Sequence, residues 1–423
     1  MQGSKAVAAH FEFSRPIRLM QVGTSHLSVG LMRGQLRFLR GAGFDVSVVS
    51  SPGPELYAAA EGEGVQVYAV PMFREISGLA DLVSLWRLRH LMQRLRPTIT
   101  NVSTPKAGLL AGIASVLSSV PCRVYTLRGL RCETASGWKR WCLILAERFA
   151  CRCAHRVICA SHSLRQKAMA LGIADPRKFV VLASGSSNGV EADRFAPTPE
   201  RVRQATILRN DLGIPPNAPV VGFVGRLTRD KGICELIDAY LKLRHQHPDL
   251  RLLLVGDFEE GDPLPGHTRK TIQDESQIIH TGSVRDPALY YHVMNAMALP
   301  TYREGFPNTV LEAQAAAKPV VTTRATGALD AIQDGITGIL VPVGDVDSLI
   351  SALSGLLQHP EMARQMGAAG VERVRHEFRQ DLIWKALERE LLSLLQEKGL
   401  PVPQAADCQA VRPLNSPVNL ASP

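Results

Sequence analysis

Long apolar runs are missing from this 423-residue chain. No stretch approaches the roughly 18 residues needed to span a bilayer, and the N-terminus lacks a charged segment followed by an apolar one with a cleavage site. These absences predict a cytoplasmic protein that is not integral to a membrane. Aromatic residues are scarce at 5%, but hydrophobic residues reach 45% against 21% charged, which excludes global disorder and allows sizeable cores. Cysteine is present without a disulfide framework: six of the eight crowd into one region, as Cys122, Cys132, Cys142, Cys151, Cys153 and Cys159, and read as mostly buried thiols. The metal set Cys151, Cys153 and His155 fails, because alternate residues on a helix point about 200° apart and no second ligand pair follows. No metal site is predicted. The G-x-G-x-x-G signature of dinucleotide-dependent oxidoreductases is absent after the first strand. Neither an RNA-binding aromatic motif nor a helix-turn-helix signal occurs, so no nucleic-acid partner is expected.

What is present is enough chain for two domains of roughly 150 to 200 residues each. A formal net charge of +9 with a pI of about 9.3 favours anionic partners such as nucleotide phosphates or an anionic membrane face.

Hydrophobic patterning alternates strand and helix along nearly the whole length. The apolar run 17–22, a Gly/Ser-rich turn at 23–30 and a helical pattern at 31–39 open the series. Strands are expected at 45–50, 65–70, 98–101, 123–127, 156–159 and 179–182, with a small and acidic stretch at 58–64. The pattern fades at Pro197 and Pro199, which predicts a linker near 196–215. It restarts with strands at 220–224, 251–255, 277–280, 296–300, 319–323 and 338–341, and helices at 233–244, 308–317, 347–357, 360–375 and 381–398. This is an α/β chain with two doubly wound, Rossmann-like parallel sheets joined by right-handed crossovers. The expected domains are 1–200 and 201–380, followed by a helix at 381–400 running back toward the first domain. The Pro-, Ala- and Ser-rich tail 401–423 is expected to be disordered.

Two segments of the second half carry chemistry. In Tyr302-Arg303-Glu304-Gly305-Phe306-Pro307-Asn308-Thr309-Val310-Leu311-Glu312-Ala313 two carboxylates stand seven residues apart, the first in a Gly/Pro loop, the second in the opening turns of a helix marked by Pro307 and Asn308. A carboxylate can accept from both ribose hydroxyls, and helix-start N–H groups suit phosphate oxygens, so the pair reads as a nucleotide clamp. It reads equally as a helix-dipole acid beside a solvated one. In Val224-Gly225-Arg226-Leu227-Thr228-Arg229-Asp230-Lys231-Gly232, two cations, Arg226 and Lys231, flank a strand-to-helix loop. They fit a diphosphate leaving group, or simply a solvated basic loop.

These two motifs, their order and separation, and the later Gly-Ile-Thr-Gly at 335–338 resemble the family 4 glycosyltransferases. The resemblance covers nearly the whole chain. It implies the GT-B fold, two facing Rossmann-like domains with a cleft between them, and retaining transfer from a nucleotide sugar without a metal ion or other cofactor. By the same resemblance Arg226 and Lys231 bind the donor diphosphate, Glu312 holds the ribose, and Glu304 lies near the transferred sugar. Gly225, Gly305, Phe306, Asn308 and Thr309 complete the donor loops. From the first domain, Ser28, Val29 and Gly30 approach the phosphate by their backbone. Many relatives carry a histidine where Tyr125-Thr126-Leu127-Arg128-Gly129-Leu130-Arg131-Cys132-Glu133 places Arg128. A guanidinium cannot be a base at neutral pH, so Arg128 is expected to bind a sugar hydroxyl or an acceptor phosphate. This segment, together with 183–190 and the Phe306-Pro307-Asn308 form of the clamp, is most similar to the branch building bacterial capsule, O-antigen and N-glycan precursors. That branch implies a UDP-activated N-acetylhexosamine donor and a polyprenyl-diphosphate-linked saccharide acceptor.

The segments 85–96 and 138–156 combine Trp86, Leu88, Leu91 and Leu95, or Trp138, Trp141, Leu145 and Phe149, with many Arg and Lys residues. They read as basic amphipathic helices for an anionic membrane surface, or as ordinary domain helices with a solvated basic face. Two further readings stay open: a nucleotide-sugar epimerase of the same fold, and a non-catalytic nucleotide-binding protein.

Overall fold

The computed structural model describes residues 16–73, 77–403 and 418–419. Its strands are β1 (Ile17–Val22), β2 (Phe44–Ser50), β3 (Gln66–Ala69), β4 (Ile99–Ser103), β5 (Cys122–Leu127), β6 (Arg156–Cys159), β7 (Phe179–Val181), β8 (Val220–Val224), β9 (Arg251–Val255), β10 (Ile278–His280), β11 (Ala296–Leu299), β12 (Val320–Thr323), β13 (Gly338–Val341) and β14 (Val418–Asn419). They form an eight-stranded sheet ordered β14-β3-β2-β1-β4-β5-β6-β7 and a six-stranded sheet ordered β10-β9-β8-β11-β12-β13. Neighbours such as β1 with β2, and β8 with β9, run parallel. Parallel strands are covered by helices on both faces, and the sequence shows it: all of Val220 to Val224 is buried, and Leu252, Leu253 and Leu254 are fully so. This is the α/β GT-B architecture expected of two doubly wound sheets.

Contacts group the described residues into two compact units, one of residues up to 101, 114–123 and 388 onward, the other of 102–113 and 124–387. In the first, the Cys122 thiol donates to the Leu394 carbonyl at 3.8 Å, on the Gln380–Glu397 helix. Most of the 401–423 tail lies outside the described residues, and Val418 and Asn419 pair with Tyr68 and Ala69.

Three expectations need correction. The helix expected at 31–39 starts only at Gln35 and runs to Gly41, set off by Gly34 at φ 78° from a separate helical turn, Leu27–Gly30, inside the expected 23–30 turn. The Glu63 carboxylate fixes the second start by accepting the Gly34 and Arg37 N–H groups at 2.8 and 3.1 Å. The small and acidic stretch at 58–64 belongs to a helix, Pro54–Glu63, begun by proline at its first turn and closed by left-handed Gly64. Within 196–215 there is a 13-residue helix, Pro199–Asp211, whose Thr198 cap accepts the Arg201 N–H at 3.3 Å.

In the six-stranded sheet the order reverses between neighbours β8 and β11. In such a sheet the carboxyl ends of the strands at that point open a crevice. Both chemical motifs of the second half leave the sheet there, at 225–232 from β8 and at 300–309 from β11.

Candidate functional site

After β8, Gly225 donates to the Val255 carbonyl at 2.9 Å and the chain enters a short 3-10 turn, Arg229–Lys231. At Gly232 the backbone is left-handed, φ 72°, and an added Cβ would lie 2.0 Å from the Pro300 carbonyl oxygen. Glycine alone lets this loop press on the end of β11. Asp230 locks the two together: its carbonyl accepts the Tyr302 N–H at 2.9 Å and the Thr301 hydroxyl at 3.1 Å. Its carboxylate takes Thr228 Oγ1 at 2.6 Å and Arg303 Nη2 at 2.7 Å. Burial would raise the Asp230 pKa, but the Thr228 hydrogen bond and the charges of Arg303, Lys231 and Arg226 outweigh it and hold the group below its usual value.

Around this anchor the predicted cations take different partners. Lys231 Nζ forms an ion pair with Glu304, and the two side chains are only 16% and 12% exposed. Arg226 pairs with Glu259 instead and is 49% exposed. The motif's lysine and first carboxylate are thus brought together, while the arginine stands at the rim.

The second carboxylate has a partner of its own. Glu312, in the Asn308–Ala315 helix, accepts from Tyr291 Oη at 2.6 Å. Burial pushes its carboxyl up, against the pull of that hydrogen bond and of Arg194, which is itself paired with Asp286 at 2.9 Å. Asn308 Oδ1 accepts the Ser186 hydroxyl at 3.2 Å, Thr309 is half-buried in the same first turn, and the Phe306 ring packs on Phe378 with centroids 5.2 Å apart. Gly305 lies flat against the chain after β5: a Cβ there would stand 2.1 Å from the Arg128 carbonyl oxygen.

That chain after β5 is part of the same unit and lines the site. Arg128 is half-buried, donates through Nη1 to the Ser187 hydroxyl, and its Nε is buried without a partner. Burial lowers its pKa to about 10, so it stays charged at neutral pH. Sequence reasoning missed Glu133, in the 3-10 turn Arg131–Glu133. Its Oε2 accepts the Thr326 hydroxyl at 2.6 Å, and the Thr326 carbonyl in turn accepts the Glu304 N–H at 2.9 Å. Its Oε1 is buried and unpartnered. The available signal was an acid on the same post-strand loop as Arg128, five residues on. Ser163 adds a second tie: its Oγ donates to Asp330 and accepts the Gly327 N–H at 2.7 Å.

Ser28 and Gly30 belong to the other unit. There the 23–30 segment is not an open glycine turn but ends in a helical turn, Leu27–Gly30, with Ser28 Oγ donating to the Ser25 carbonyl at 2.5 Å.

Known proteins bear directly on this arrangement. The glycosyl transferases group 1 family matches residues 218–359, and the glycosyl transferase 4-like domain matches 32–185. The capsular polysaccharide biosynthesis glycosyltransferase CapM of Staphylococcus aureus is 34% identical over 382 residues, 90% of this chain and 98% of that one. The chain belongs to the group 1 glycosyltransferases. A second relative of this glycosyltransferase is an Escherichia coli UDP-Gal:alpha-D-GlcNAc-diphosphoundecaprenol alpha-1,3-galactosyltransferase, 27% identical over 80% of this chain and 87% of that one. The fold of this chain matches Anabaena Alr3699/HepE in complex with UDP-glucose at a TM-score of 0.75 and 19% identity, covering 89% and 99% of the two chains. Sucrose-phosphate synthase from Thermosynechococcus elongatus matches equally, with a TM-score of 0.75 at 20% identity over 90% and 100%.

Proposed function

We propose that this glycosyltransferase moves a hexose or N-acetylhexosamine from a UDP sugar to a polyprenyl-diphosphate-linked saccharide, with retention at the anomeric carbon, in surface polysaccharide synthesis. The observation that carries the reading is the shielded Lys231–Glu304 ion pair at the β8/β11 switch point, with Arg226 and Arg303 close by around Asp230. A donor diphosphate entering there exchanges Lys231 from the Glu304 carboxylate to a phosphate oxygen. That exchange frees Glu304 to accept from a sugar hydroxyl. Arg226, exposed enough to leave Glu259, adds a second positive charge as negative charge grows on the departing diphosphate. Two cations meet that charge without a metal ion. Glu312 takes the ribose hydroxyls, and the diphosphate accepts the acceptor's proton on the face from which it leaves.

The capsule role of the Staphylococcus aureus relative, and the UDP-galactose donor and diphosphoundecaprenol acceptor of the Escherichia coli one, support this donor and acceptor class. Docking on an anionic membrane would bring such an acceptor within reach. The Gly137–Cys153 helix supports it with Trp138, Trp141, Leu145 and Phe149, one outward stripe whose members are all more than half exposed, beside Lys139, Arg140, Arg148 and Arg152.

A thermal-shift panel of nucleotides and nucleotide sugars tests the reading, since a ligand at 100 times its Kd stabilises by about 2.7 kcal/mol. UDP sugars should raise the melting temperature most, and EDTA should leave transfer unchanged. Lys231→Ala should lower kcat by roughly 100- to 1000-fold, the usual effect of deleting one charge-stabilising donor, and leave the unliganded melting profile cooperative. Wild-type turnover in Lys231→Ala would remove the donor-site assignment.

A further inference from the structure

Among the described residues, two buried polar side-chain atoms without a partner fall on one short loop: Arg128 Nε and Glu133 Oε1. They flank Gly129, whose Cβ position lies 3.4 Å from the Gly305 nitrogen. The loop therefore lies against the backbone of the donor motif. A buried donor or acceptor left without a partner is costly, so two on one functional loop call for a ligand that fills them. Their chemistry is complementary: a fixed N–H donor that keeps its charge at neutral pH, and a carboxylate oxygen that accepts. Glu133 is also held in place. Its other oxygen is tied to Thr326, and Thr326 holds the Glu304 backbone, so Glu133 is fixed relative to the residue expected beside the transferred sugar.

We propose that Glu133 is a sugar-specificity residue, its free carboxylate oxygen accepting a hydroxyl or amide N–H of the donor pyranose while Arg128 Nε donates to an oxygen of the same ring. This rests on the donor-pocket reading above and extends it to the sugar. Both groups then act on which sugar is held and not on UDP.

The test compares affinities of the full chain for UDP and for UDP-glucose, UDP-galactose, UDP-N-acetylglucosamine and UDP-N-acetylgalactosamine by calorimetry. Glu133→Ala should bind UDP as wild type does, and lose about 10-fold or more of the added affinity that the best UDP sugar has over UDP, the worth of a hydrogen bond to a charged group. Glu133→Gln, which keeps a neutral acceptor, should recover part of the loss and reorder the four sugars. An unchanged sugar-to-UDP affinity ratio in Glu133→Ala overturns the proposal. Equal loss of UDP affinity makes Glu133 a structural strut and overturns it too. Wild-type protein binding neither UDP nor any UDP sugar would instead sink the donor reading, and this inference with it.

Discussion

Glu147 is 3% exposed on the inner face of the Gly137–Cys153 helix, with its Oε2 accepting from Tyr125 Oη at 2.8 Å. Burial raises its pKa to about 7, and the Tyr125 hydrogen bond pulls back only part of that. The folded chain then holds a proton that the unfolded chain has released between the ordinary value of 4.5 and about 7. Stability from this group is therefore full below that window, falls as pH rises through it, and is flat above. Glu147→Gln keeps the shape without the charge. It should match wild type near pH 4.5 and exceed it at pH 8 by a few kcal/mol at most, because each pH unit between the unfolded and folded titrations is worth about 1.4 kcal/mol. Denaturant midpoints at the two pH values check this, and an equal difference at both would reject it. At the same scale, the cations Arg226 and Lys231 were legible as two charges flanking one strand-to-helix loop. Their partners were not: Glu259 lies 33 residues from Arg226 and Glu304 lies 73 from Lys231, separations that only the sheet order closes.

Among the elements, strands were the most legible. A parallel strand buried on both faces is mostly apolar, and β6, β8, β9 and β13 stand at the bounds that the hydrophobic pattern predicts. Helices set by single capping contacts were hidden. The 27–41 region depends on a carboxylate 29 residues away, and the helix at 199–211 announces itself only by Thr198 and Pro199. Loops conceal their packing most of all, which the two glycines at 30 and 305 make testable. A Cβ at Gly30 meets nothing within 4 Å, at the end of a helical turn, whereas one at Gly305 must displace backbone. Gly30→Ala should be within about 0.5 kcal/mol of neutral. Gly305→Ala should destabilise by roughly 1–3 kcal/mol, as overpacking does, and separate the 128–133 loop from the donor motif. Urea unfolding of the two variants measures the contrast, and equal midpoints would show that the loops do not press together.

For the molecule as a whole, two doubly wound sheets follow from the alternation of strand and helix, but the use of its +9 charge does not follow from its magnitude. Among the described residues no helix is long and apolar enough to cross a membrane. Docking on a membrane surface is a matter for exposed side chains, and here the structure separates the two faces that the sequence mixes. In the Gly78–Leu95 helix, Leu88, Leu91 and Met92 turn inward, while Leu79, Leu82 and Trp86 stand outside with Arg89 and Arg94. The Gly137–Cys153 helix buries Ile144, Ala150 and Cys151 and leaves its aromatic stripe outside. An ordinary solvated helix face needs no such row, and the cations beside it favour lipid phosphates by about 1 kcal/mol each near the surface. Binding should therefore need both parts. Vesicles with anionic lipid should capture the protein at about 0.1 M salt and lose it near 1 M, where the screening length falls from about 10 to 3 Å. Replacing Arg87, Arg89, Arg94 and Arg96 by Gln should weaken capture at about 0.1 M salt, and replacing Trp138, Trp141 and Phe149 by Ser should weaken it there as well, because neither part suffices alone. Vesicle affinity unchanged by both sets would return these helices to the role of simple domain packing.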